Sequence, residues 1–530
     1  MSETKVENKK PGIIKRIFKW IGLTILAILL IAALIFQAPW KVTTLLIIIL
    51  LACTVLPRPA RKWFWLSVGA VVIALIIWVF LPDEDGDWRP YTFDEELAAI
   101  EAKRAIPPEE NAATIYNQLI EDYNEAAFEP IFLDPNLEDL TRKEPWSSQD
   151  YPELAQWLQQ QQSTIATLMQ AAQKEKCRFP IAADTVSLGQ SMERLIPMRR
   201  WAVLLIWSAN NDIAEKHCNE ALKKYIAVLQ MAEHLCQQSA IIDHLVAITI
   251  EALTIENFNR FIVTDDATEE HLHTIEKALA DIKHDWTTDL PKFVEHDKLM
   301  AKSLLSIAYE INPEGKVRLS RDPTAAMRKE FPEEIAQVTY WQRKLMKAFT
   351  ILAWFYFPSD PHKAAKMIDA NYEKVYKMAE PDYNWQEETE EIPRNFPCSL
   401  KRTLNYCLLI ENLALSSQRH YHRFHDIYLR TIAQQRGSQL IIALRRYKNK
   451  TGNWPKSLED IKSLAPAEVF VDPTNDDSFT YKLTEENFML YSKGKNNIDE
   501  DGDHHLGDDW PIWLLRGHKT QREKTNAEQQ

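Results

Sequence analysis

Three apolar segments dominate the first 81 residues of the chain. Residues 20–38 and 63–81 contain no charged side chain, and residues 42–57 form a shorter apolar run between them. A helix of about 20 apolar residues spans the roughly 30 Å hydrocarbon core of a bilayer. The pattern therefore predicts a membrane domain over residues 17–82. Its transmembrane helices are expected at about 17–38, 42–57 and 63–82.

The basic residues around these segments predict their orientation. Six lysine or arginine residues precede the first segment, and three more separate the second from the third. The first connection has only Lys41, and residues 83–87 are acidic. Cytoplasmic loops are enriched in Lys and Arg. Residues 1–16 are therefore expected to form a cytoplasmic basic tail of a bacterial inner-membrane protein whose main body is periplasmic. A re-entrant second segment would reverse this topology.

Residues 83–436 are expected to form a large helical domain outside the cytoplasm. Apolar positions recur there at helical spacing, as in residues 212–235 and 241–261. The chain has only 12 glycines in 530 residues, which favours long helices over tight turns. No second copy of a helical hairpin follows at a fixed period, as a repeat array requires. The prediction is an irregular αα-helical domain and a mainly α protein.

The pattern changes after Gly437. Residues 457–460 have the spacing of a helix-capping box, and apolar side chains then alternate as in strands. We expect a small C-terminal α/β domain over residues 437–515 and a disordered tail at 516–530. Its three-stranded antiparallel sheet is expected to use residues 468–472, 478–483 and 487–492.

A loop crowded with carboxylates follows the last predicted strand. Residues 497–502 place oxygen-bearing side chains at alternating positions before a glycine, as at the start of an EF-hand calcium loop. Hard oxygen donors around a glycine turn suit Ca²⁺, which takes about 6–8 oxygen ligands. No helices are predicted on either side of this loop, so the sequence does not predict an EF-hand. Two alternatives stay open: a transition metal bound through His504 and His505, or a solvated acidic loop without metal.

Four short motifs occur in order along the C-terminal segment. They are Ala443-Leu-Arg-Arg-Tyr447, Thr451-Gly-Asn-Trp-Pro455, Asp472-Pro473 and Leu490-Tyr-Ser-Lys-Gly494. In this order the segment resembles the C-terminal domain of the major pseudopilin of type II secretion systems. The resemblance implies a small α/β domain whose aspartate loop holds a structural calcium ion. The ligands that it implies are the side chains of Asp499, Asp501, Asp503, Asp508 and Asp509, with backbone oxygens near Leu490 and Lys493.

The rest of the chain departs from the pseudopilin pattern. A pseudopilin begins with a short basic leader and one apolar helix, whereas this chain has several apolar segments and a long helical domain. The secretion role therefore does not carry over with the fold. Residues 177–180, followed by a predicted helical hairpin, resemble uncharacterised exported helical proteins of planctomycete-like bacteria. That second resemblance implies no known chemistry.

Composition and motifs exclude several classes of function but do not identify a reaction. The net charge of −13 argues against nucleic-acid binding. The glycine and histidine spacings exclude a Walker A loop, a nucleophile elbow and an H-E-x-x-H zinc motif. No catalytic residue is therefore assigned.

The expected function is that of a membrane-anchored periplasmic scaffold linked to secretion or envelope machinery. Its expected partners are the lipid bilayer and envelope proteins, and the oligomeric state does not follow from the sequence. The alternative is an exported, hydrolase-like membrane enzyme with a site between helices of residues 94–435. An inward-facing cluster with Glu295, His296 or residues 419–425 would favour the enzyme.

Overall fold

The protein is mainly helical, as the sequence predicts. The computed structural model describes residues 40–80, 87–128, 135–181, 188–303, 305–320, 339–342, 344, 360–385, 406–485, 487–503 and 507–513. Two small three-stranded antiparallel sheets occur within these residues. The first expected membrane helix, at 17–38, and the tail at 516–530 lie outside them.

The regular elements run as follows along the chain. The first helices are α1 (Trp40–Thr54), α2 (Arg58–Phe80), α3 (Asp94–Lys103), α4 (Ala113–Glu121), α5 (Glu125–Phe128), α6 (Pro135–Lys143), α7 (Pro152–Gln160) and α8 (Gln162–Ala171). The later helices are α9 (Leu188–Ala214), α10 (Cys218–Cys236), α11 (Ile241–Ile262), α12 (Glu269–Asp281), α13 (Trp286–Ser303), α14 (Leu305–Ala308), α15 (Pro361–Tyr376) and α16 (Tyr406–Thr451). The strands are β1 (Arg89–Pro90), β2 (Tyr309–Ile311), β3 (Val317–Leu319), β4 (Thr480–Leu483), β5 (Phe488–Ser492) and β6 (Trp510–Trp513).

The chain divides into two compact units. One is drawn from Met1–Glu96, Ala183–Val186 and Asp297–Arg419. The other is drawn from Leu97–Ala182, Ser187–His296 and His420–Gln530. The aspartate-rich loop and the largest apolar core belong to the second unit.

The first unit contains a small sheet that the sequence does not predict. Its strand order is β1-β2-β3, and each neighbouring pair is antiparallel. Gly315, with a φ of 79°, lies in the turn between β2 and β3. Strands of two or three residues are too short to show an alternating pattern. Nearby, the ammonium group of Lys302 bridges Glu96 at 2.7 Å and Asp369 at 2.9 Å.

Helices α1 and α2 carry many apolar side chains on their surfaces. Those that are more than a third exposed include Leu45, Ile48, Leu51, Trp63, Trp65, Val71, Ile73 and Ile77. Among the described residues, none of the helices combines the length and the apolarity that crossing a bilayer requires.

The second unit is built around helices α9, α10 and α11, which pack against one another in chain order. Trp201, Tyr225 and Phe258 are fully buried among them. On α10 the predicted apolar face is confirmed, because Leu222, Tyr225 and Leu229 all lie in the core. The helical spacing of these side chains thus determines which face of α10 packs inward.

Helix α16 continues through the predicted domain boundary at residue 437. It is 46 residues long and ends at Thr451. A Cβ atom on Gly437 would lie 2.8 Å from Cγ2 of Ile512, so glycine allows strand β6 to approach the helix closely. The C-terminal sheet has the order β4-β5-β6 and is antiparallel throughout.

The prediction of one strand of this sheet, over residues 468–472, is wrong. Strands β4 and β5 lie where the alternating pattern places them, but the third strand is β6 and not residues 468–472. Ala467–Phe470 is a 3-10 helix that starts after Pro466, and the carboxylate of Asp472 then accepts the backbone N–H of Thr474 at 3.0 Å in a turn. Pro restricts the backbone before it, and Asp favours turns. The backbone preferences of these residues outweigh the tendency of the apolar side chains in that segment to form a strand.

Candidate functional site

The aspartate-rich loop leaves β5 and returns at β6, so its two ends are held together by the sheet. Ser492 pairs with Trp510, and an irregularity in the pairing falls between Leu490 and Tyr491. The loop turns at positive φ angles of 61° at Gly494 and 75° at Gly502. Strand pairing therefore brings the segment near Leu490 and Lys493 close to the aspartates that precede β6.

Asp509 is the buried centre of the loop. One carboxylate oxygen, Oδ2, accepts the backbone N–H groups of Gly502 at 2.7 Å and Glu500 at 2.9 Å. Burial raises the pKa of this carboxyl, and the two hydrogen bonds oppose that shift. The other oxygen, Oδ1, is buried and has no hydrogen-bond partner among the described residues. A buried acceptor left without a partner is uncommon in folded proteins.

Glu500 organises the same turn, although the sequence does not single it out. Its Oε2 accepts the backbone N–H groups of Asp508 at 2.7 Å and Asp509 at 3.2 Å. Asp508 in turn accepts the backbone N–H of Lys495 at 2.6 Å and pairs with Arg430 at 3.1 Å. The loop is thus cross-linked by carboxylates that bind backbone N–H groups.

Asp499 and Asp501 face a lysine rather than Asp509. The ammonium group of Lys482, on β4, lies 3.0 Å from Asp499 and 2.6 Å from Asp501. The Tyr491 hydroxyl also donates to Asp499, and this bond lowers the pKa of the Asp499 carboxyl. Both aspartates are exposed. One ammonium group therefore pairs with two carboxylates, and this cluster keeps a net charge of −1.

The remaining predicted ligands are dispersed. The ammonium group of Lys493 pairs with Asp477 at 2.9 Å, Leu490 is buried in the sheet, and Asp503 donates its backbone N–H to Glu500 at 3.2 Å. His504 and His505 lie outside the described residues. Within the residues that the structure does describe, no three His, Cys, Asp or Glu side chains are arranged to hold a metal ion.

A second candidate site lies inside the helical part of this unit. Nε2 of His284 is 3.1 Å from each carboxylate oxygen of Glu251, and both side chains are buried. They line a small cavity of about 100 Å³ together with Glu233 and Cys236. Burial raises the pKa of the Glu233 carboxyl and that of the Cys236 thiol.

The surroundings of this pair add further polar groups. The Tyr428 hydroxyl donates to Asp289 at 2.8 Å, and the ring of Tyr428 lies 5.2 Å from that of His284. A buried imidazole beside carboxylates can carry or accept a proton. The sequence offers one signal for this site, since Glu251 interrupts the apolar helix α11.

The histidines singled out from the sequence occupy different environments. His422 and His425 are buried, and burial lowers the pKa of His425 to about 3. Glu295 pairs with Lys103 at 3.1 Å, whereas Nδ1 of His296 lies 3.2 Å from the Ser239 hydroxyl. Glu295 and His296 therefore have separate partners and do not form an acid–base pair with each other.

Comparison with known proteins identifies no relative. No family model matches the chain, and neither a curated protein nor a solved structure matches it.

Proposed function

We propose that the chain is a membrane-anchored scaffold whose helical part binds protein partners in the bacterial envelope. The observation that carries this proposal is the use of buried polar side chains to hold the backbone of neighbouring helices and loops in place. The amide of Asn210 donates to the carbonyls of Thr141 and Arg142, both at 3.0 Å. The amide of Gln238 donates to the carbonyl of Cys177 at 2.9 Å.

Neighbouring side chains play the same role. His234 Nε2 lies 2.7 Å from the Lys174 carbonyl, and burial lowers the pKa of this imidazole to about 4. A buried network whose polar groups are satisfied makes the structure rigid. These groups bind backbone rather than converge on a reaction centre, which favours a scaffold over an enzyme.

The proposed anchor is residues 17–82, with the N-terminus in the cytoplasm and the main body in the periplasm. The exposed apolar side chains of α1 and α2 support attachment to lipid, because large exposed apolar surfaces mark interaction sites. A periplasm-active reporter fused after Asp87 should give signal. Signal only from a cytoplasmic reporter at the same position would reverse the topology.

We also propose that the C-terminal segment is a pseudopilin-like module stabilised by calcium. The order of its motifs and the unpartnered Oδ1 of Asp509 support this proposal. Asp509 and the backbone oxygens near Leu490 and Lys493 would hold the ion. Asp499 and Asp501 would have to leave Lys482 to contribute. A bound calcium ion would supply positive charge at the buried carboxylate.

Partner binding is tested with the full chain in its membrane. A photo-crosslinking residue in place of Lys223, an exposed position on α10, should give a discrete crosslinked product. The same residue in place of Lys462, in the C-terminal module, provides a matched exposed control. A defined product from the α10 position alone supports a scaffold surface on the helical part. Identical diffuse crosslinking from both positions contradicts it.

An enzyme is the second candidate, and the Glu251–His284 pair beside a cavity favours it. Chromogenic ester, glycoside and peptide substrates offered to the full chain test this role. Turnover that is lost in Glu251→Gln but kept in Glu220→Gln, which changes an exposed carboxylate on α10, would establish the enzyme. Equal turnover in the two variants would exclude Glu251 as the catalytic base.

A further inference from the structure

A larger cavity lies within the second unit, apart from both candidate sites. It has a volume of about 360 Å³ and is enclosed by α6, α9, α11, α16 and β6. Small-molecule pockets typically measure about 300–1,000 Å³ and are mostly apolar with a few polar groups. The size of this cavity is within that range.

The apolar wall is built by helical spacing. On α9, Ala202 and Val203 follow Arg199 at three and four residues, so all three share one face. On α11, Leu253 lies four residues after Thr249 and faces the same space. Strand β6 closes the cavity with Trp510, Pro511 and Ile512. The interior is therefore apolar, with an indole ring at its edge.

Positive charge is concentrated at the rim. Arg142, Lys143 and Arg199 line the cavity, although the chain as a whole carries a net charge of −13. Asp139 pairs with Arg142 at 2.8 Å and with Lys143 at 2.9 Å, so one carboxylate serves two cations.

The remaining charges near the rim reduce this excess but do not cancel it. Arg260 pairs with two carboxylates, the lining Glu256 at 2.7 Å and Glu144 at 2.5 Å. Arg199 is exposed on α9, and the ion pair between α9 and α6 is made by its neighbour Arg200, 3.9 Å from Glu138. In addition, Nε of Arg142 is buried and has no hydrogen-bond acceptor among them. A buried donor of this kind is expected to find an acceptor.

We propose that this cavity binds a small organic anion that carries an apolar ring or chain. The anionic group lies between Arg142 and Arg199, where guanidinium groups can bind a carboxylate or phosphate through paired hydrogen bonds. The apolar part lies against Val203 and Leu253. The cavity borders the aspartate loop through Trp510, but the proposed ligand requires neither bound calcium nor a protein partner.

The probe for this proposal is 2-naphthoate, and its uncharged counterpart is 2-naphthalenemethanol. Both are titrated calorimetrically into the full chain reconstituted in zwitterionic lipid nanodiscs, with empty nanodiscs as the blank. The carboxylate should bind at least tenfold more tightly than the alcohol. A parallel titration with 2-naphthyl phosphate distinguishes a preference for phosphate from a preference for carboxylate. Either preference supports the proposal.

Substitutions at the cavity test whether the ligand binds there. Arg199→Gln should weaken 2-naphthoate binding about tenfold, which corresponds to about 1.4 kcal/mol. Thr249→Trp places a large ring in the cavity from an exposed position and should abolish binding. Lys462→Gln removes an exposed charge elsewhere and should leave the affinity unchanged. Equal binding of acid and alcohol, or binding that survives both cavity variants, would overturn the proposal.

Discussion

His284 places Nε2 at 3.1 Å from both oxygens of Glu251, although the two residues lie on separate segments and are buried. Burial lowers the pKa of His284, but the charge of Glu251 and the hydrogen bond to it raise the pKa by more, so the net shift is upward. The imidazolium form is thus favoured in the folded protein. The pair forms one of the buried polar contacts of the helical core.

The raised pKa of His284 predicts that the stabilisation contributed by this one histidine falls with rising pH. Burial lowers the pKa of His234 and of His425, so those two residues change the stability in the opposite direction. A histidine whose pKa is higher in the folded state stabilises the protein fully below its unfolded pKa of 6.5 and loses that contribution as the pH passes the folded pKa. The measurement is urea unfolding of the wild type and of His284→Gln at pH values from 6 to 9. The difference between their free energies of unfolding should shrink as the pH rises, whereas His273→Gln, which changes an exposed histidine, should show no such trend.

Breaking the pair from one side should be costly. Glu251→Leu leaves a buried imidazole without its carboxylate, and removing one partner of a buried ion pair costs about 3–5 kcal/mol. The double variant Glu251→Leu with His284→Leu should recover part of this loss, because no buried charge then remains unpaired. The measurement is the free energy of unfolding of the wild type, the two single variants and the double variant. Strictly additive effects of the two substitutions would show that the residues do not interact.

Calcium should stabilise the full chain if the proposed site forms. At a concentration 100 times the dissociation constant, a ligand that binds only the folded state adds about 2.7 kcal/mol. Thermal unfolding should therefore shift upward in millimolar calcium and return on chelation. Asp509→Ala should abolish the shift, and Glu485→Gln, which removes an exposed carboxylate outside the loop, should retain it. A shift that persists in Asp509→Ala would place the ion elsewhere.

Two glycines with positive φ should respond differently to alanine. Gly494→Ala and Gly452→Ala both place a side chain in the left-handed region, at φ angles of 61° and 83°. That strain alone costs about 1–2 kcal/mol. A Cβ atom on Gly494 would also collide with Asp508, whereas the space around Gly452 is open. The fall in melting temperature should therefore be clearly larger for Gly494→Ala.

The sequence predicts helices and their inward faces well, because helical spacing is a local property. The N-terminus of α12 illustrates the limit of this rule. The sequence Asp266-Ala-Thr-Glu269 has the spacing of a capping box and predicts a helix to about residue 285. The observed cap is Thr268, paired with His271, and α12 ends at Asp281. Several neighbouring residues can cap, and the one that does so depends on packing.

The third strand of the C-terminal sheet was missed for a related reason. Pro511 lies inside β6, and proline argues against a strand unless the strand lies at an edge. β6 does lie at the edge of the order β4-β5-β6. Only the pairing of Ser492 with Trp510 across the aspartate loop makes this strand evident, and that pairing is not encoded locally.

Among the predicted site residues, the structure brings some together and separates others. Asp508 and Asp509 meet at Glu500, while Asp499 and Asp501 are held by Lys482. Sequence spacing could not show this, because Lys482 belongs to a neighbouring strand. The calcium prediction and the membrane topology stay predictions.

The uninterrupted course of α16 through Gly437 has a practical consequence for engineering. The side chains of Leu440 and Leu444 on α16 belong to the same core as the preceding helices. Arg446 donates two hydrogen bonds, of 2.7 and 2.9 Å, to Glu276 on α12. A transplant that starts at residue 437 would cut the helix in mid-course and remove Leu440 and Leu444 from the core that they share with the preceding helices. Chimeras that exchange the C-terminal sheet should therefore keep the native helix and join the foreign sequence after Thr451.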